Sequence, residues 1–104
     1  MDLDGLGRFA DPAVLILTSL AGGDKHGYAL IRDVEDFAGV TLGPGTLYAA
    51  LNRLEARGLV EALAPDERRR PYRITANGVS AVTRYLEHAR TVAQRGLRRL
   101  AALA

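Results

Sequence analysis

Residues 44–60 read Pro44-Gly45-Thr46-Leu47-Tyr48-Ala49-Ala50-Leu51-Asn52-Arg53-Leu54-Glu55-Ala56-Arg57-Gly58-Leu59-Val60. Proline at the first helical position costs no hydrogen bond, because that N–H has no partner inside a helix. Leu47, Leu51 and Leu54 recur at spacings of four and three, which predicts one buried stripe. Gly58 stands where a helix end takes a left-handed residue. At about 100° per residue the face opposite the leucines carries Gly45, Ala49, Asn52 and Ala56, with Thr46, Tyr48 and Arg53 on its flanks. A helix that meets only water more often shows Lys and Glu there. Small residues beside hydroxyls, an amide and a guanidinium suit close approach to phosphates and base edges.

Downstream, residues 59–64 read as a strand and residues 72–75 as its return, around the polar tip Pro65-Asp66-Glu67-Arg68-Arg69-Arg70-Pro71. Together they predict a hairpin with a basic tip, and Arg73 on the returning strand adds a further cation. Upstream, Asp11-Pro12 announces a first helix by an N-cap carboxylate and an N1 proline. Residues 13–21 are apolar almost throughout, so this helix is expected to be buried, and Gly22-Gly23 ends it. A second helix is expected from His26-Gly27 to about Ala38, with Tyr28, Ile31, Val34 and Ala38 as its apolar stripe and Gly39 as its stop.

Thr75 is a plausible N-cap for a last helix running toward the C-terminus. Val79, Val82, Leu86, Ala89, Ala93, Gly96, Leu100 and Leu103 alternate spacings of three and four, the seam of a coiled coil, with Val92 and Leu97 widening it. So small a core cannot cover so long a helix, and the outer turns call for a second copy of the chain. The order of elements gives a mainly α (α+β) fold. It is a winged helix-turn-helix: three helices, a two-stranded β-wing and a long C-terminal dimerisation helix. Residues 1–75 form the winged helix-turn-helix part, and residues 76–104 the dimerisation helix of the same unit.

Composition fits that reading. At 104 residues the chain is one domain's worth, and 48% hydrophobic with 25% charged residues is ordinary for a globular protein. There is no cysteine, which removes disulfides and thiolate metal sites. The apolar run at residues 13–17 is too short to span a bilayer and follows an acidic rather than a basic segment, so a cytoplasmic protein is expected. Net charge is only +2, but it is unevenly spread. Residues 1–40 hold seven acids and three bases, a balance of −4; residues 41–104 hold eleven bases and five acids, a balance of +6. All eleven of those bases are arginine, the side chain suited to phosphate and guanine.

Three segments carry a family resemblance. His26-Gly27-Tyr28-Ala29-Leu30 resembles the start of the second helix in PadR-type regulators. Residues 45–60 resemble their recognition helix running into the wing, and Tyr72-Arg73-Ile74-Thr75-Ala76-Asn77-Gly78 the second wing strand and the turn into the last helix. The resemblance covers roughly residues 11–82. It implies a homodimeric repressor on a palindromic operator, with Thr46 and Tyr48 against the DNA. Gly43 departs from it, standing where the family usually has serine or another capping residue. The compact form with a single C-terminal helix fits best. Some compact relatives hold flat aromatic drugs between tryptophans, a mode that does not transfer because the chain has no tryptophan. A small-molecule inducer is left open and unidentified.

The DNA-facing candidates are thus Gly45, Thr46, Tyr48, Ala49, Asn52, Arg53, Arg68, Arg69, Arg70 and Arg73. The dimerisation candidates are Val79, Val82, Leu86, Ala89, Ala93, Leu97, Leu100 and Leu103. Blander readings stand beside them: Tyr48 as a partly buried core tyrosine, and Arg68, Arg69 and Arg70 as a solvated loop. His26 and His88 lack ligand spacing, so no metal or cofactor is expected. Asp33, Glu35 and Asp36 read as the solvated face of an amphipathic helix, and Ser19 and Ser80 lack a nucleophile's surroundings, so no enzyme is expected. Two rival functions remain: a winged-helix module for protein interaction, and a weakly specific architectural DNA binder.

Overall fold

The computed structural model describes residues 11–104. The acidic start with Asp2 and Asp4, the argument against a signal peptide, and the first ten residues of the winged-helix part lie outside the described residues.

Helix α1, Pro12–Ala21, opens as its sequence requires: the Asp11 carboxylate accepts a hydrogen bond from the Ala13 N–H at 2.9 Å. Strand β1 is Lys25–His26, and helices α2 and α3 are Gly27–Ala38 and Pro44–Ala56. Strands β2, Val60–Ala62, and β3, Pro71–Ile74, form the wing, and α4 runs over Ala76–Ala101. The sheet is antiparallel in the order β1-β3-β2, with His26 opposite Pro71, and Ala62 and Lys25 on either side of Tyr72. The wing is therefore backed by a third strand that the sequence reading missed. Two residues are too few to show the alternation by which a strand is read.

The core gathers Leu15, Ile16, Leu17 and Leu20 of α1 against Leu30 and Val34 of α2 and the whole leucine stripe of α3. Val60 and Tyr72 close it from the sheet. Helix α2 is turned from its expected orientation. Gly27, Leu30 and Val34 are buried with Ile31 half-buried, whereas Tyr28 and Ala38, expected inward, are exposed. The cause is Gly27: without a side chain, it lets α2 press against α3. A Cβ built there would overlap the Tyr48 ring and come within 3.3 Å of Leu47. That sets the stripe at 27, 30, 31 and 34.

A polar staple holds α1 to α2. The buried Ser19 hydroxyl donates to Asp33 at 2.6 Å, and the Lys25 ammonium donates to the Ser19 carbonyl at 2.6 Å. Asp33 is thus bonded inward rather than merely solvated. Helix α4 starts in the core and ends outside it. The Thr75 hydroxyl caps it, accepting from the Gly78 N–H at 3.0 Å and donating to the Gly58 carbonyl at 2.7 Å. Gly78 packs so closely on the Leu59 carbonyl that no Cβ could fit. Val82, expected on the dimer seam, is only 5% exposed and belongs to the chain's own core. One turn on, Leu86 is already 42% exposed. A 26-residue helix reaches about 39 Å, and its outer turns stand clear.

Candidate nucleic-acid interface

Helix α3 has the two-sided character its pattern predicts. Leu47, Ala50, Leu51 and Leu54 are buried, and Gly45, Thr46, Ala49, Asn52 and Arg53 are exposed. Tyr48 is half-exposed at 46%. No side chain caps the helix: Gly43, extended at φ −71°, leaves the first-turn N–H groups facing solvent at a helix N-terminus, where the backbone favours anions.

The wing tip is a tight hairpin turn. Asp66 and Arg69 exchange two backbone hydrogen bonds, at 2.7 and 3.0 Å, across Glu67 and Arg68. The fold brings this tip back to α3. Arg68, Arg69 and Arg70 line one cavity of about 280 Å³ together with Tyr48 of α3, Tyr28 and Gly27 of α2, and His26 of β1. Among the described residues no carboxylate lines it. Tyr28, turned outward by the rotation of α2, also lies 5.8 Å beneath the Arg32 guanidinium.

Arg73 does not join this group. It sits on the outer face of β3 between Asp24 at 3.2 Å and Glu61 at 3.6 Å. The hydrogen bond it donates to Asp24 raises its already high pKa further. A guanidinium held by two carboxylates is a poor phosphate ligand. Its neighbour Tyr72 points inward, and burial, followed by the nearby Tyr48 and Glu55, raises its phenol pKa.

His26, Gly27 and Tyr28 are the residues that sequence reasoning did not place at the site. The signal is in the chain, because His26-Gly27-Tyr28 carries part of the family resemblance, but nothing local to it shows that the wing tip folds over the start of α2. On α4, Val79, Leu86, Ala93, Leu97 and Leu100 are exposed and Ala89 is half-buried, an apolar stripe that no described residue covers; the helix ends at Ala101, so Leu103, expected on it, lies exposed in the turn just beyond. Among the described residues no cluster of His, Cys, Asp and Glu has the makings of a metal site. None of their helices is long and apolar enough to cross a membrane.

Residues 16–84 match the model of the Transcriptional regulator PadR-like family. An uncharacterized 37.1 kDa protein in transposon TN4556 of Streptomyces fradiae is 46% identical over 71 residues, 68% of this chain but 21% of that protein. Transcriptional regulator Rv3488 of Mycobacterium tuberculosis is 38% identical over 71 residues, 65% of each chain. The chain therefore spans about a fifth of the first relative's length and about two thirds of the second's. The crystal structure of a PadR family transcription regulator from Clostridium difficile superposes with a TM-score of 0.77 at 24% identity, covering 86% of this chain and 97% of that one, which shows the shared fold. Across residues 16–84 this chain belongs to the PadR-like family of transcriptional regulators, and not to a family of enzymes.

Proposed function

We propose that the protein is a sequence-specific DNA-binding repressor that engages a palindromic operator as a homodimer in the cytoplasm. The observation that carries this reading is the meeting of Tyr48, at the edge of α3's exposed face, with three wing-tip arginines around one cavity that no carboxylate among the described residues lines. Helix α3 supplies the base-reading groups: Asn52 for adenine, Arg53 for guanine or phosphate, and Thr46 and Tyr48 for backbone and base edges. Gly45 and Ala49 let the backbone come close. Arg68, Arg69 and Arg70 hold phosphates beside the groove. The uncovered stripe on α4 pairs with that of a second copy, setting two α3 helices on successive major grooves, about 34 Å apart.

Selection of bound duplexes from a random pool, with titration of salt, tests the reading. A symmetric consensus and a steep loss of affinity with salt are expected. Enrichment without a consensus would favour the architectural binder, and no binding at low salt the interaction module.

A further inference from the structure

We infer that His26 and Arg69 together form a seat for one backbone phosphate of duplex DNA, with His26 a direct ligand. This inference rests on the DNA-binding reading above. Its starting point is a conflict between two donors. His26 is the N-cap of α2, and its Nδ1 accepts the hydrogen bond of the Ala29 N–H at 3.3 Å. A ring nitrogen that accepts carries no proton, so the tautomer that makes the cap has its proton on Nε2. Nε2 points at Nη1 of Arg69, 3.3 Å away, and a guanidinium can only donate. In that tautomer two N–H groups converge, and no acceptor among the described residues lies between them; in the other tautomer Nε2 accepts from Arg69 and the cap bond to Ala29 is given up. An oxygen taking a bond from both resolves the conflict, and an anionic oxygen does so best.

The surroundings select phosphate. The two donors open onto the cavity of about 280 Å³ that Arg68, Arg70 and the hydroxyl-bearing Tyr28 and Tyr48 also line, several times the ~30 Å³ of a water molecule. Gly27 keeps the Tyr48 hydroxyl in place there, since any Cβ would displace it. The choice of capping residue points the same way. Asp, Asn and Ser cap helices best, yet histidine holds this position. Aspartate would place a carboxylate among three arginines and compete with the phosphate. Histidine caps with one nitrogen and presents a donor with the other.

Anisotropy with a fluorescent random-sequence duplex separates this from a purely structural histidine. His26→Asn keeps a good cap but loses the Nε2 donor. It should melt at or above the parent's Tm while binding the duplex about tenfold or more weakly, as expected for a hydrogen bond to a charged group. Arg69→Gln should also weaken binding and flatten the salt dependence. Because both groups serve one phosphate, the double variant should lose less than the product of the two single losses. Duplex affinity equal to the parent's in His26→Asn, or fully multiplicative losses, overturns the seat and leaves the DNA-binding reading standing. A parent protein that binds no duplex at low salt overturns both. Nitrogen-correlated NMR of the parent gives an answer even if a variant fails to fold. The proton should sit on Nε2 of His26, and its resonance should move on adding the duplex while that of His88 on α4 stays. A proton on Nδ1, or an unmoved resonance, overturns the seat.

Discussion

Helices α3 and α4 both carry leucines and alanines along one side and mostly small or polar residues along the other, and the fold treats them differently. On α3 every leucine of the stripe is buried, Leu47 and Leu51 completely. On α4 cover ends at Val82; Leu86 is 42% exposed, Leu97 68% and Leu100 64%. An amphipathic pattern states that a face needs cover, not what provides it. Where the chain itself covers the face, the opposite side of the helix is held rigidly for a partner, as on α3. Where it does not, the apolar face is itself the partner surface, as on the outer turns of α4.

Substitutions of one kind in the two helices test that contrast most severely. Leu51→Ala should cost about 2–5 kcal/mol of stability, the range for a large side chain lost from a packed core, at any protein concentration. Gly78→Ala, driven into the Leu59 carbonyl, should cost at least as much because backbone cannot yield. Leu100→Glu should leave the fold intact and convert a dimer to half its mass by sedimentation equilibrium. Its effect on Tm should depend on protein concentration, as subunit linkage requires. A change in stability from Leu51→Ala, relative to the parent, that varies with protein concentration while that from Leu100→Glu does not, or an unchanged mass for Leu100→Glu, would break the comparison.

The exposed side of α3 gives the next effect in size. Asn52→Ala should leave Tm and mass alone, and Tyr48→Ala, which gives up its packing on Gly27, should lower Tm modestly without changing mass, while both weaken binding to the selected operator by about 1–3 kcal/mol for each base contact. Binding to random duplex should change much less. Replacing Arg68, Arg69 and Arg70 together by alanine should do the reverse, flattening the salt dependence and sparing sequence preference. If both sets change specific and non-specific binding alike, α3 is not the reading element.

Those helices were legible because long periodic segments with capping residues carry their own signal: Asp11, Gly58 and Thr75 mark ends that the structure keeps. What escaped reading depended on contacts between distant segments. The pairing of β1 with β3 has no local pattern, the rotation of α2 follows from Gly27 lying under Tyr48, and the neutralising of Arg73 needs Asp24, 49 residues away. Val82 shows the same limit within one helix, because period alone cannot tell the last core position from the first exposed one.

The smallest effect is expected where no core stands behind the residue. Glu67, at the wing tip, has φ +57°, the left-handed region, and Arg68 beside it does not. A two-residue turn with positive φ only at its first central position is the type that prefers glycine there. A side chain in that region costs roughly 1–3 kcal/mol, while glycine gives back about 0.5–1 kcal/mol through its freer unfolded chain. Glu67→Gly should therefore raise stability by at most about 1–2 kcal/mol, a few degrees in Tm. It also removes a carboxylate next to three phosphate-facing arginines, so binding to random duplex should tighten modestly and more so at low salt. Glu67→Gln separates the two causes: it removes the charge and keeps the strained backbone, so it should gain affinity without gaining stability. A gain in Tm from Glu67→Gln equal to that of Glu67→Gly would show that charge repulsion, and not the turn, sets the stability of the tip.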